Sequence, residues 1–352
     1  DDKSAFLTSV IANRSGEILV KRAVLTDRNK LEISNAGDHR CDRGEIIVRT
    51  AVCGVCRTDR KAYGMGQRDL SMPRVLGHEI AGTVSEIGEG VTRCRAGDRV
   101  VVHPGLFCGE CEECSSGLDQ LCGKMRILGF HEDGGFQEFV RIPRGGAERG
   151  IALPIPEGLP FSRAVLAEPL ACAINMAESM CPDRGDRLLV IGAGALGLLT
   201  AKLWRSLGVD DITLTDSNEA KTVRAEGLGF AARLASGGAW REEYSAAVTC
   251  CPGGDAFGAA AAALRKRGRL GFFSGLTGAS LEVKTVNLVH YHELRVFGAY
   301  GCSIGNTRRA LALLDETIEI EDSLVRRISL GDLEDDLRRL ERNEIFTQLD
   351  FT

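Results

Sequence analysis

The chain has 352 residues, 44% of them hydrophobic and 26% charged, with a formal charge of −5. That length exceeds one ordinary core and points to two domains, and the mild negative charge, spread along the chain, argues against nucleic-acid or anionic-membrane binding. Thirteen cysteines, an odd number, suit a reducing compartment with metal-binding or catalytic thiols better than a disulfide framework.

The chain begins DDKS, without the basic start and apolar centre of a signal peptide. Residues 1–21 read as a leader, with Asp1–Lys3 like the end of a protease-cleavable tag, and a cytoplasmic protein is expected. From Arg22 short strand-like runs follow: RAVLT, KLEIS, EIIVRTAV, EIAGTVSEIG and DRVVVHP. Glycine, proline and aspartate separate them as in a compact β-rich domain. Within this stretch AVCGVCRTD (51–59) sets Cys53 and Cys56 three apart, a spacing open to a redox disulfide, half a metal clamp or two unrelated thiols.

After about Pro160 the pattern changes. SRAVLAEPLACAINMAESM has helical periodicity, RLLVIGAG is a strand with a glycine turn, and ALGLLTAKLWRSLG is a helix ended by Gly208. DITLTD is a strand, NEAKTVRAEGLG a helix, and SAAVTCC, AFGAAAAALRKRG and RLGFFSG continue the alternation of a parallel sheet with covering helices. No apolar run reaches the roughly 18 residues of a transmembrane helix.

CGECEECSSGLDQLC gives Cys108, Cys111, Cys114 and Cys122 the spacing C-x2-C-x2-C-x7-C. Four thiolates on one tight loop close a tetrahedron around Zn²⁺ with no open position, which makes the site structural. An iron–sulfur cluster and four free thiols are the alternatives. VIGAGALG places Gly192, Gly194 and Gly197, with Ala195 and Leu196 between, as G-x-G-x-x-G after a strand and at a helix start. That is a pyrophosphate-binding turn. Asp216 ends the next strand, where a carboxylate accepts from an adenosine ribose and repels a 2′-phosphate, favouring NAD over NADP. Asp216 also reads as the N-cap of the helix that follows, and Lys221 and Arg224 lie close in sequence.

Cys56, Thr58, Asp59, His78, Glu79 and Glu168 have bland readings one at a time: a packed thiol, a core histidine, solvated charges. In order, C-x-T-D at 56–59, G-H-E at 77–79, the four-cysteine lobe, E-P-L at 168–170 and G-A-G-A-L-G at 192–197 resemble the zinc-dependent medium-chain dehydrogenase/reductase (alcohol dehydrogenase) family. The resemblance spans nearly all of the chain from Arg22 onward. NLVHYHELRVFGAYG (287–301) is most similar to the polyol, sorbitol-type and threonine-dehydrogenase-like branch.

The resemblance implies an α/β fold: a GroES-like β-rich catalytic domain over 22–160 that takes back 302–352, and a Rossmann doubly wound parallel sheet over 161–301. It implies two zinc ions per chain, one structural and one catalytic. Cys56 and His78 would hold the catalytic ion with an acidic third ligand, Glu79 or Glu168, with Glu168 preferred at rest. Asp59 would fix the tautomer of His78, and Thr58 would pass on the proton of a bound alcohol. The implied reaction is reversible, NAD-linked oxidation of a secondary alcohol of a polyol, sugar or cyclitol to a ketone. Threonine-dehydrogenase-like oxidation of a hydroxy amino acid, or a non-catalytic binding protein on this fold, are the rivals.

Many relatives carry a histidine where this chain has Lys61, so Lys61 is read as facing solvent, ahead of relaying a proton or binding an anion. Phe273 and Ser274 are expected at the nicotinamide, and Phe130, His131 and Phe136 at the substrate pocket, with loop packing as the alternative. His290, Tyr291, His292 and Tyr300 lie in or before a strand that pairs across a dimer in the family, so a homodimer or homotetramer is expected.

Overall fold

The run IIVRTAVCG forms the strand Ile46–Gly54, in which every residue but Arg49 is buried. Its β-branched side chains suit a strand packed on both faces. It pairs antiparallel with Glu79–Ile87 and with Phe139–Ile142. The computed structural model describes residues 11–12, 18–36, 40–236, 242–274, 282–339 and 345–352. Of the 1–21 leader, Ile11–Ala12 is a strand and Ile18–Asp27 another, so ordered pairing starts ahead of Arg22; 1–10 and 13–17 lie outside the described residues.

The described residues divide into two units, one running to Ala167 and completed by Ile320–Thr352, the other Glu168–Glu319. The C-terminal return is a sheet pairing: Phe346–Asp350 runs antiparallel to Ile46–Gly54, with Leu349 opposite Cys53. The sequence reading drew this line at 301/302. The helix Ile304–Glu316 instead stays with the second unit, where Asn306 Nδ2 and Arg309 Nη1 each donate to Glu178 at 2.9 Å.

In the second unit six parallel strands run in the order Ala231–Leu234, Asp211–Asp216, Arg187–Ile191, Tyr244–Thr249, Leu264–Phe272, Arg295–Gly298. Numbered along the chain this is 3-2-1-4-5-6, the Rossmann arrangement, and its switch point lies between Arg187–Ile191 and Tyr244–Thr249. Leu189, Ala247, Ala260 and Leu270, all fully buried, tie the sheet to the alanine-rich helix Gly254–Ala263.

One sequence reading fails here. AFGAAAAALRKRG was taken as a single helix, but the chain turns extended at Leu264 (ψ 135°) and Leu264–Phe272 is a strand. Alanine propensity carries a helix as far as Ala263. Burial of Leu264 opposite Tyr244 then outweighs it.

Candidate active site and metal centres

Cys56 is the N-cap of the helix Arg57–Met65. Its Sγ accepts from the Thr58 amide at 3.5 Å, and its own amide donates to Asp59 Oδ2 at 2.9 Å, a reciprocal capping box. The other oxygen of Asp59 accepts from the Gly77 amide at 3.3 Å and stands 3.3 Å from His78 Nδ1. Asp59 is wholly buried. One carboxylate therefore joins the Cys56 turn, the Gly77 turn and the His78 ring, and its proximity to Cys56 in sequence is what the cap requires.

Cys56, His78 and Glu79 bring one ligand atom each within 4.8 Å of one another. Glu79 begins the strand that pairs with Ile46–Gly54, where Gly54 is its register partner. A Cβ on Gly54 would stand 1.9 Å from Glu79 Oε2, so only glycine leaves room for that carboxylate. Gly77 (φ 93°) is likewise required, because a Cβ there would meet the Phe136 ring at 2.6 Å.

Burial would lower the pKa of His78, but the Asp59 carboxylate beside Nδ1 and the neighbouring Cys56 sulfur outweigh it and hold the pKa well above the usual imidazole value. Burial raises that of the Cys56 thiol, against the pull of His78. His78 Nδ1 forms no hydrogen bond of good geometry although it is buried. A thiol, an imidazole and a carboxylate converging around one point, with a second carboxylate behind the imidazole, are the donor set of a catalytic zinc with an open position. The site fits the ion.

The four-cysteine lobe is a second such convergence. Cys108, Cys111, Cys114 and Cys122 have their sulfurs within 4.8 Å of one another, with Sγ–Sγ distances of 3.9 Å (Cys108–Cys114) and 3.4 Å (Cys111–Cys114). A tetrahedral zinc with Zn–S bonds of ~2.3 Å sets sulfurs ~3.8 Å apart; a disulfide would set them ~2 Å apart. All four are free thiols. Backbone N–H groups of Glu110 and Cys111 draw Cys108 down to about 6. The Cys114 amide also draws Cys111 down, but sharing with Glu113 and Cys114 carries it up to about 12.

In the second unit Gly192 follows the strand Arg187–Ile191 with φ 106°, and a Cβ on Gly197 would stand 1.8 Å from Gly192 O. A Cβ on Gly194 would meet nothing within 4 Å. The three glycines thus supply the turn, the helix–strand contact and an open approach at the start of the helix Ala195–Ser206. Asp216 Oδ2 accepts from the Ala193 amide at 2.9 Å, and Lys221 Nζ lies 3.6 Å from the same oxygen. The N-cap reading of Asp216 is corrected: the cap of Glu219–Gly227 is Asn218, which accepts from the Ala220 amide, while Asp216 Oδ1 accepts from the Asn218 amide at 2.9 Å.

A model of the alcohol dehydrogenase GroES-like domain matches residues 42–155. The chain is 32% identical over 304 residues to a D-altritol 5-dehydrogenase of Agrobacterium fabrum, covering 82% of this chain and 87% of that protein. It belongs to the zinc-dependent medium-chain dehydrogenase/reductase family. It is 31% identical to an L-threonine 3-dehydrogenase of Rhizobium rhizogenes over 53% of either chain, about half that relative's length. Its fold matches a zinc-binding dehydrogenase from Sinorhizobium meliloti bound to NADP, with a TM-score of 0.86 and 28% identity, covering 94% of this chain and 99% of that one. The first unit of this enzyme is accordingly GroES-like and its second a Rossmann unit.

The remaining expectations fall out differently. Phe136, placed at the substrate pocket from sequence, is fully buried in this dehydrogenase, its ring filling the space beside Gly77. His131 Nδ1 accepts from the Ile127 amide at 3.1 Å and so holds its own loop. Phe130 sits 5.5 Å, centroid to centroid, from the His78 ring. Lys61 is exposed, as its solvent-facing reading expects. Phe273 and Ser274 follow the strand Leu264–Phe272, with the Phe273 amide donating to Thr249 O at 3.2 Å; 275–278 of that motif lie outside the described residues.

Glu168 lies in the second unit. Its carboxylate groups with Cys172 and Cys302 within 4.8 Å, and Cys172 Sγ donates to Glu168 Oε1 at 3.6 Å. Sequence reasoning passed over Cys172, although its four-residue spacing from Glu168 was a visible helix-face signal. Gly54 was also missed; only the sheet register shows its need. Among the described residues no helix is long and apolar enough to cross a membrane.

Proposed function

We propose that this dehydrogenase oxidises a secondary alcohol of a polyol, sugar or cyclitol with NAD, using one catalytic and one structural zinc per chain. The observation that carries the reading is the Cys56–His78–Glu79 convergence anchored by buried Asp59. When bound, the zinc lowers the pKa of an alcohol and the nicotinamide accepts its hydride. Cys56, His78 and Glu79 would hold the ion, and Asp59, 3.3 Å from Nδ1 of His78, would leave Nε2 as the ligand atom. Thr58, whose Oγ1 is 3.6 Å from Cys56 Sγ, takes the alcohol's proton outward. The sequence reading prefers Glu168 as third ligand; the grouping of Glu79 with Cys56 and His78 supports Glu79 instead. The lobe cysteines would hold the second ion.

Asp216 supports NAD over NADP, since a carboxylate fixed by two amides at the end of the second strand would accept from an adenosine ribose hydroxyl and repel a 2′-phosphate. Asp216→Ser is expected to cut kcat/KM with NAD by ~10-fold or more and to narrow the NAD/NADP preference. Steady-state kinetics with both cofactors measures it, and an unchanged preference would remove Asp216 from this role. The apolar side chains Val283, Val286 and Tyr291, exposed on the helix Val283–Tyr291, support a homodimer or homotetramer.

The relative named for L-threonine supports a second reading, oxidation of a hydroxy amino acid. A panel of polyols, sugars, cyclitols and L-threonine, followed by NADH absorbance, decides between them. Turnover of a polyhydroxy compound at least ~10² above L-threonine is expected. Preference for L-threonine would reverse the assignment, and no turnover by zinc-replete protein would leave only a binding role.

A further inference from the structure

At the end of the Rossmann sheet away from the glycine turn, the strand ladder is interrupted. Leu264 pairs with Tyr244, and pairing resumes only at Arg269 opposite Ala246, so Arg265–Gly268 (RKRG) bulge out. Arg267 takes φ 62°, a left-handed conformation that side chains rarely adopt, and its amide is pinned to His292 O at 2.7 Å. On the next strand Arg295 is the direct register partner of Arg269. Like charges opposite each other in a sheet are unfavourable.

These side chains line one open surface hollow of about 400 Å³, formed by Arg265, Arg267, Arg269 and Arg295 with Asp183 and Asp186. Arg269 is fully engaged: it donates to Met180 O at 2.8 Å and to Cys181 O, and pairs with Asp186, which also accepts from Ser245 Oγ at 2.7 Å. Asp183 Oδ1 is occupied by the Gly185 amide at 2.9 Å. Arg267 reaches only the exposed Glu293, at 3.8 Å. Among the described residues Arg265 and Arg295 are exposed and have no ion-pair partner. Asp186 is bound by Arg269 and Ser245, and one oxygen of Asp183 by the Gly185 amide, so four guanidinium groups outnumber two partly committed carboxylates around one hollow.

Guanidinium forks bind oxyanions bidentately, and several around one concavity select a ligand with several anionic groups. The position is not that of the cofactor pyrophosphate. Arg269 and Arg295 stand at the amino ends of the paired segments, whereas Gly192–Gly197 follow the carboxyl end of Arg187–Ile191. We propose that this arginine-lined hollow is a second anion site, taking a small multivalent oxyanion of the diphosphate type.

The test titrates inorganic pyrophosphate into the full chain, saturated with NAD, by calorimetry. One pyrophosphate per chain is expected, with affinity falling as salt rises and at least ~10-fold tighter than for sulfate. The double variant R265E/R295E, outside the zinc and nucleotide machinery, should weaken binding at least ~10-fold while the unfolding midpoint and NAD binding hold. ATP in place of pyrophosphate separates the sources: a free-diphosphate site binds pyrophosphate at least ~10-fold tighter than ATP, and a nucleotide site shows the reverse order. Absence of pyrophosphate binding, equal affinity for sulfate, or binding unchanged in R265E/R295E would each overturn the site. Because the variant leaves the glycine turn intact, these results are independent of which cofactor that turn accepts.

Discussion

Cys56→Ser is expected to remove one zinc per chain and to lower turnover of the best polyol by at least ~10³-fold, the effect of losing ~4 kcal/mol of metal-derived stabilisation. The substitution is chosen because it separates the two jobs of Cys56. As an N-cap, serine is at least as good: its oxygen can take the Thr58 amide that Sγ now accepts at 3.5 Å, and the Cys56 amide can still donate to Asp59. The helix Arg57–Met65 and the Asp59 hub should therefore survive. As a zinc ligand, a neutral hydroxyl replaces a thiolate, and a His78–Glu79 pair alone binds weakly. Metal analysis should fall from two ions to one, with the thermal midpoint held. Retained activity with one zinc would remove the zinc chemistry from this site, and retained zinc with lost activity would move the role of Cys56 from ligand to proton path.

The parts of this site that were legible in the sequence are those in which the chemistry lies within a few residues. The four-cysteine spacing and the G-x-G-x-x-G turn are local; a loop of that length has few ways to place the side chains. Asp59 was legible as a partner of His78 only through family resemblance. Its cap on Cys56 and its contact with the Gly77 amide needed the fold. Gly54 was illegible, because its necessity arises from a register partner 25 positions away in the chain, Glu79. Phe136 reads from sequence as either a pocket wall or loop packing, and its burial needed the fold, because the missing Cβ of Gly77 lets the ring sink into the core. The run LRKRG misled because helix propensity continues where tertiary pairing does not, and that same break is what gathers the arginines at the far end of the sheet.

Cys111→Ser in the lobe should give the opposite pattern. It too should cost one zinc, but the ion lost is the one enclosed by four sulfurs within 4.8 Å of one another. Here the proposed ion would substitute for a core. The segment Cys108–Cys122 contains only a four-residue helix, Glu112–Ser115, and a short turn, Asp119–Leu121, with Leu118 and Leu121 both exposed. So little buried apolar surface cannot order fifteen residues against a chain-entropy cost of ~1–2 kcal/mol each. Metal binding would make up the difference, and its loss should cost ~3–5 kcal/mol of stability, a fall of ~5–10 °C in the thermal midpoint. The Cys56–His78–Glu79 site is built on other strands and turns, so protein that remains folded below that midpoint should keep its second zinc and most of its kcat. A midpoint unchanged by Cys111→Ser, with zinc content still two, would mean that the lobe orders without its metal. Loss of both ions together would mean that the lobe is a support on which the catalytic site depends.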